Sequence, residues 1–136
     1  MRATPETENT VMTATLADLE ARTADLMRRF NEAFLRHEPA LLDELVAEDC
    51  ELENTSPAPD GSRHVGREAC LALWRDIAAN RAAWFEPERT VVCGERAIIQ
   101  WRYRWGEGAA ESVRGVNLMR VHDGLIVEAQ GYVKGG

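Results

Sequence analysis

Long apolar runs, paired cysteines and clustered basic residues are all missing from this chain. No hydrophobic stretch of its 136 residues approaches the ~18–20 needed to cross a bilayer, which argues against a membrane-spanning helix. The N-terminus MRATPETENT also lacks the basic-then-apolar layout of a secretory signal, so a cytoplasmic protein is expected. The 3 cysteines, Cys50, Cys70 and Cys93, are odd in number and far apart, without the close spacings that build zinc sites. They read as reduced thiols. The 3 histidines, His37, His64 and His122, are isolated, and no two-His-plus-carboxylate pattern is present. Neither a metal nor a cofactor is expected. Lys and Arg number 16 against 23 Asp and Glu, for a net charge of −7, and the basic residues form no run of the kind that grips a phosphate backbone. Nucleic acid is therefore an unsuitable partner.

What the chain does have is enough apolar material, 45% of residues, for one core of ordinary size. Residues 1–13 are polar and aperiodic and read as a flexible arm, leaving 14–136 as a single domain. From Thr15, apolar positions at Leu16, Leu19, Thr23, Leu26, Phe30 and Phe34 recur at helical spacing, predicting a helix over 15–36. A second helix is expected from Pro39 to about Glu48, with Leu41, Leu42 and Leu45 on its buried face. CELEN, 50–54, alternates as a short strand, and TSPAPDGSRH after it reads as a loop. GREACLALWRDIAANRAAWF, from Gly66, puts Cys70, Leu73, Trp74 and Ile77 on one side of a third helix. Beyond Pro87 the period becomes two, giving strands at 91–93, 97–105, 111–121 and 125–133, with Asp123-Gly124 as a hairpin turn. This order defines an α+β domain with helices against one face of a curved antiparallel sheet.

Two stretches carry most of the functional information. In VRGVNLMRV, 113–121, alternation puts Val113, Gly115, Asn117, Met119 and Val121 on one face, so an amide interrupts an otherwise apolar row. In IIQWRYRW, Ile99, Trp101, Tyr103 and Trp105 share one face, while Arg102 and Arg104 lie on the other.

The order of elements, with GREACLALW and the closing RGVNLMRVHDGLIVEAQGYVKG, resembles the SnoaL-like branch of the nuclear transport factor 2-like (NTF2-like), ketosteroid isomerase-like superfamily. The resemblance implies a cone-shaped, cystatin-like fold of three helices on a strongly curved, mostly antiparallel sheet. It further implies a hollow interior for a small hydrophobic molecule and pairing of two copies through the outer sheet face. By the same resemblance, the base of ketosteroid isomerase falls on Asn54, its oxyanion-hole acid on Asn117 and its oxyanion-hole Tyr on Phe30. The acidic base of SnoaL-like cyclases also falls near 117, and one acid of limonene epoxide hydrolase falls on Gly131. An amide has no useful basicity at neutral pH, so neither Asn is a general base, although each can donate and accept hydrogen bonds.

The residues implied to contact a ligand are Asn117, Asn54, Trp101, Tyr103, Trp105, Phe30, Phe34, Trp74 and Met119. For Asn117 the alternative is a buried amide bonded to nearby backbone, for Asn54 a turn-starting side chain, and for the aromatics a filled core. Weak catalytic candidates are His64, in the polar loop, and Cys50, on the face of Leu52 and Asn54. Three functions remain open: a binder of a hydrophobic, polyketide- or steroid-like molecule; an isomerase or polyketide cyclase-type enzyme whose base has moved to His64, Cys50 or Glu53; and a non-catalytic dimeric interaction module. A cavity of a few hundred Å³ would support the first two, and a packed interior the third.

Overall fold

A computed structural model describes residues 3–135, with side chains described from Leu16 onward. The first element is a helix, α1 (Ala3–Leu35). Its bounds begin ahead of the expected Thr15 cap, and the expected arm at 1–13 lies outside the residues whose side chains are described. Thr23, Leu26, Met27, Phe30, Ala33 and Phe34 are buried along one stripe, the three-and-four spacing of an amphipathic helix. Leu16, expected on this stripe, is instead exposed. The helix ends in two reversed bonds, Glu38 N–H to Ala33 C=O (2.9 Å) and His37 N–H to Phe34 C=O (3.3 Å), with His37 at φ 53°. That is a Schellman motif, which satisfies the last carbonyls of a helix. The His37 ring compensates for its left-handed backbone by placing Nδ1 3.0 Å from Ala78 C=O.

The expected second helix shrinks to a 3-10 turn, Pro39–Leu42, and strand β1 (Val46–Glu53) takes over most of the remainder. The cause is tertiary pairing: Ile126 N–H donates to Leu45 C=O at 2.7 Å, and Val46 aligns with Ile126 of the last strand. A short strand β2 (Arg63–Val65) forms where only loop was expected. Helix α2 (Arg67–Ala79) is followed by β3 (Trp84–Cys93), β4 (Arg96–Arg104), β5 (Ser112–His122) and β6 (Leu125–Val133). Among the described residues the α-helices are thus two rather than three. β3 also begins inside the segment read as the end of the third helix.

The six strands form one sheet in the order β2-β1-β6-β5-β4-β3. Every neighbouring pair is antiparallel except β1 with β6. The sheet curves around a core closed by α1 and α2. Alternation sorts the two faces of β4 and β5 as the sequence indicated: Ala97, Ile99, Trp101, Gly115, Met119 and Val121 are buried, while Ile98 and Leu118 are exposed. Two contacts fix α1 across the sheet's far end. Gly94, in the β3–β4 turn, donates its N–H to Glu20 Oε2 (2.9 Å), and its carbonyl lies 2.8 Å from the buried Thr23 hydroxyl.

Candidate functional site

The register brings the interior row together. Ile99 of β4 faces Asn117 of β5, which faces Gly131 of β6. Glu53 of β1 aligns with Gln130, so the next residue, Asn54, arrives beside Gly131. With no side chain at 131, space remains between the two amides, and a Cβ built there would lie 3.3 Å from Asn117 Oδ1 and 3.0 Å from Thr55 Cγ2. A second glycine makes room for the largest ring. Trp101 pairs with Gly115, where a Cβ would lie only 2.5 Å from Trp101 Cη2.

These residues enclose a cavity of about 70 Å³. Phe30, Phe34, Trp74, Trp101 and Phe85 form its aromatic wall, and Asn117, Asn54 and Asn31 are its amides. The rings pack edge to face: Phe30 with Trp74 at 5.0 Å, Phe30 with Phe34 at 4.9 Å, and Phe85 with Trp101 at 5.1 Å. Such contacts suit the aromatic quadrupole, and they leave little of the cone empty. The volume falls well short of the few hundred Å³ of a typical whole-ligand pocket, so by volume alone the cone is nearer the packed interior of an interaction module than a site for a whole ligand. Since a water needs roughly 10–15 Å³ of such space, there is room for a single ring, not a fused-ring skeleton.

Asn117 is oriented by chemistry rather than by shape. The Trp101 indole N–H can only donate, and it lies 3.1 Å from Asn117 Oδ1. The amide oxygen is therefore turned to Trp101. Its amino group makes no hydrogen bond among the described residues and is not sealed off from the cavity. The result is a hydrogen-bond donor in a largely aromatic lining, to which Glu53 adds a carboxylate-bearing residue.

Of the residues singled out from sequence, Asn117, Asn54, Trp101, Phe30, Phe34 and Trp74 line this cavity. Three do not. Met119 is buried in the core beside it, Tyr103 packs on the outer side of Phe85 with ring centroids 4.5 Å apart, and Trp105 is half-exposed past the end of β4. His64 sits on β2, at the sheet edge, with Nε2 2.9 Å from Ser62 Oγ. Cys50 is fully buried away from the cavity lining. Burial, then the neighbouring Cys70 thiol, pushes the Cys50 thiol pKa far up, the opposite of what an activated nucleophile needs. Glu53 belongs to the rim, where strand alternation sets its side chain on the face opposite Leu52.

Sequence reasoning missed Phe85, Pro87, Ile77, Thr55 and Asn31. Phe85 had no clear signal, because Trp84 and Phe85 are apolar in succession and continue the preceding helical pattern. Asn31 did have a signal, lying one turn beyond buried Met27. Among the described residues no three His, Cys, Asp or Glu side chains converge as metal ligands. No helix among them is long and apolar enough to cross a membrane.

A curved six-stranded sheet closed by helices around an aromatic hollow defines the NTF2-like class. Residues 27–129 match the family model described as SnoaL-like domain, and the chain belongs to that family. A solved NTF2-like protein of unknown function from Mesorhizobium loti (mll8193) is 58% identical, covering 85% of this chain and 93% of that one, with a TM-score of 0.79. Two more distant structures share the fold. One, provisionally described as a ketosteroid isomerase, from Kribbella flavida, is 19% identical over 86% of this chain and 81% of that one, TM-score 0.71. The other, provisionally described as a polyketide cyclase, from Sinorhizobium meliloti, is 22% identical over 79% and 93%, TM-score 0.65. No curated protein matches the chain in sequence.

Proposed function

We propose that this protein binds a small hydrophobic molecule of the polyketide or ring-ketone kind, holding one oxygen-bearing ring among the aromatics of the cone. The observation that carries the reading is the Asn117 amide in the cavity wall, its oxygen taken by the Trp101 indole N–H and its amino group left without a partner among the described residues. A carbonyl oxygen placed there accepts one hydrogen bond while its ring stacks against Phe30, Phe34 or Phe85. The lining holds amides, Asn54 and Asn117, at the positions where the resemblance to ketosteroid isomerase implies acids, and amides do not take protons from carbon. Binding without acid–base turnover follows. The three cysteines are free thiols, which fits a reducing cytoplasm.

The test uses 4′-fluoroacetophenone as probe, followed by fluorine NMR. Saturable binding is expected, weakened roughly 5–10-fold in Asn117→Leu, the worth of about 1 kcal/mol for one net hydrogen bond. The purified protein is also expected to isomerise a Δ5-3-ketosteroid no faster than buffer. Absence of binding would remove the reading. Turnover abolished by His64→Ala or Glu53→Gln would replace it with the relocated-base enzyme.

The outer sheet face supports a homodimer as part of the same proposal. Val91, Ile98 and Leu118 form an exposed cross-strand apolar row. The neighbouring charges are already engaged within the chain, Glu88 with Arg102 and Arg114, and Glu128 with Arg96 and Arg120. Exposed apolar surface bordered by ion-paired side chains, two arginines to each glutamate, suits burial against a second copy. Sedimentation velocity is expected to give a dimer for the wild type and a monomer for Leu118→Arg. A wild-type monomer at tens of micromolar would refute the pairing.

A further inference from the structure

The cavity is too small to hold a whole ligand of ordinary size, and a second hollow begins where it ends. A groove of about 530 Å³ lies between the 54–62 loop and the end of β6. Glu53, Asn54, Thr55 and Gly131 line both spaces. Among these four shared residues the Thr55 methyl lies beside Gly131, where a Cβ would come within 3.0 Å of it. Thr55 is half-buried, and such a side chain changes rotamer within picoseconds to nanoseconds.

The groove is preformed. Asn54 N–H donates to Ser62 C=O at 2.8 Å, and Gly61 N–H to Pro57 C=O at 2.7 Å, so the ends of the loop are tied together. Gly61 has φ +77° and sits so close to Asn54 C=O that a Cβ would lie 1.6 Å from that oxygen, a position only glycine tolerates. On the opposite side, β6 continues to Val133 although its pairing with β1 stops at Gln130. The groove floor is therefore a stretch of β6 edge that β1 leaves uncovered. Arg63, in the wall, is engaged by Glu51, and the Ser62 hydroxyl by His64. Asp60 and Glu53 have no ion-pair partner among the described residues and remain free to accept hydrogen bonds. Two unpaired carboxylates call for a slender group rich in hydrogen-bond donors, and hydroxyls can also meet both the N–H and the C=O groups of the uncovered β6 edge.

We propose that Thr55 and Gly131 form a threshold between the two spaces and that the ligand is divided across it. Its oxygen-bearing ring lies at Asn117, and a hydroxylated tail lies in the groove against Asp60 and the β6 edge. This rests on the binding reading above and extends it by naming the second half of the ligand and Thr55 as a residue that selects for it.

Two probes separate the halves: 4′-methoxyacetophenone, and the same ketone carrying a 2,3-dihydroxypropoxy group in place of methoxy. Titration calorimetry on the full chain is expected to show the tailed ketone binding at least tenfold more tightly. In Asp60→Ala, on an exposed loop, the ratio of the two dissociation constants is expected to fall at least threefold, the β6 edge retaining the rest. Thr55→Leu, which thickens the threshold, is expected to cost the tailed ketone more than the methoxy ketone. Equal affinities in the wild type, or a ratio unchanged in Asp60→Ala, would overturn the divided ligand while leaving the ring site standing. If neither ketone binds the wild type, the ring site itself is wrong and the divided ligand falls with it.

Discussion

Replacing Trp101 with alanine is expected to lower the melting temperature by roughly 10–20 °C, from a stability loss of about 3–5 kcal/mol. Trp101 is 6% exposed and spans two strands, its ring filling the space that Gly115 leaves open. It meets Phe85 at an interplanar angle of 88°, and Phe85 in turn contacts Phe34 at 5.7 Å. Truncation therefore removes the partner of one aromatic and loosens the next, in an interior that has little room to collapse because the sheet backbone is held on both sides. Trp101→Phe separates packing from polarity. It keeps most of the ring but deletes the indole N–H, so it is expected to cost much less stability while leaving the Asn117 amide free to flip. Calorimetry and urea unfolding of both variants are the check. A loss below about 1 kcal/mol for the alanine variant would mean that the aromatic interior is loosely filled, against the edge-to-face geometry.

Much of the sheet was legible because its signal is local. In 97–105 and 111–121 most apolar residues alternate, with Ile98, Val116 and Leu118 on the outer face and Asn117 on the inner one as exceptions, and a period of two admits one assignment of faces. That is why Asn117 could be placed on the interior face beside Met119 before any coordinates. The buried stripe of α1 was legible for the same reason. What escaped depends on partners far along the chain. Leu41, Leu42 and Leu45 carry a fair helical pattern, yet the segment turns into β1 because Ile126, some eighty residues later, captures Leu45 and Val46. Arg63–Val65 has no strand pattern of its own and pairs only because Glu51–Glu53 offers a free edge. The size of the cavity was out of reach on different grounds. It is the small remainder after large rings are packed, and it hinges on Phe85, whose cross-strand alignment with Tyr103 no composition or period specifies. The orientation of Asn117 likewise needed a distance, since the donor that turns it lies on another strand.

Asn117→Asp is expected to make ketone binding pH-dependent where the wild type is flat between pH 5 and 8. The substitution is nearly isosteric and keeps an oxygen for the Trp101 N–H, so the fold is expected to persist. What changes is the second polar atom. The wild-type amino group donates to a ketone oxygen at every pH in this range, whereas a carboxylate has no proton to give and sets negative charge against the carbonyl dipole. Above the pKa of the new acid, affinity for 4′-fluoroacetophenone is expected to fall roughly 5–150-fold, from about 1–3 kcal/mol for a lost hydrogen bond and an unpaired partner. Below that pKa the neutral acid donates again, and affinity returns. The apolar rings around position 117 raise the pKa of a carboxyl by disfavouring its charged form, while the indole N–H acts in the opposite direction by stabilising the carboxylate. The pH at which affinity recovers measures the balance of the two. In Asn117→Asp combined with Trp101→Phe the lowering influence is gone, so recovery is expected at a higher pH than in the single variant. Fluorine NMR titrations at half-unit steps from pH 4 to 8 test both statements. An affinity in Asn117→Asp that stays flat and equal to the wild type would show that the side chain at 117 does not contact the ketone, and would move the polar anchor to Asn54 or Asn31.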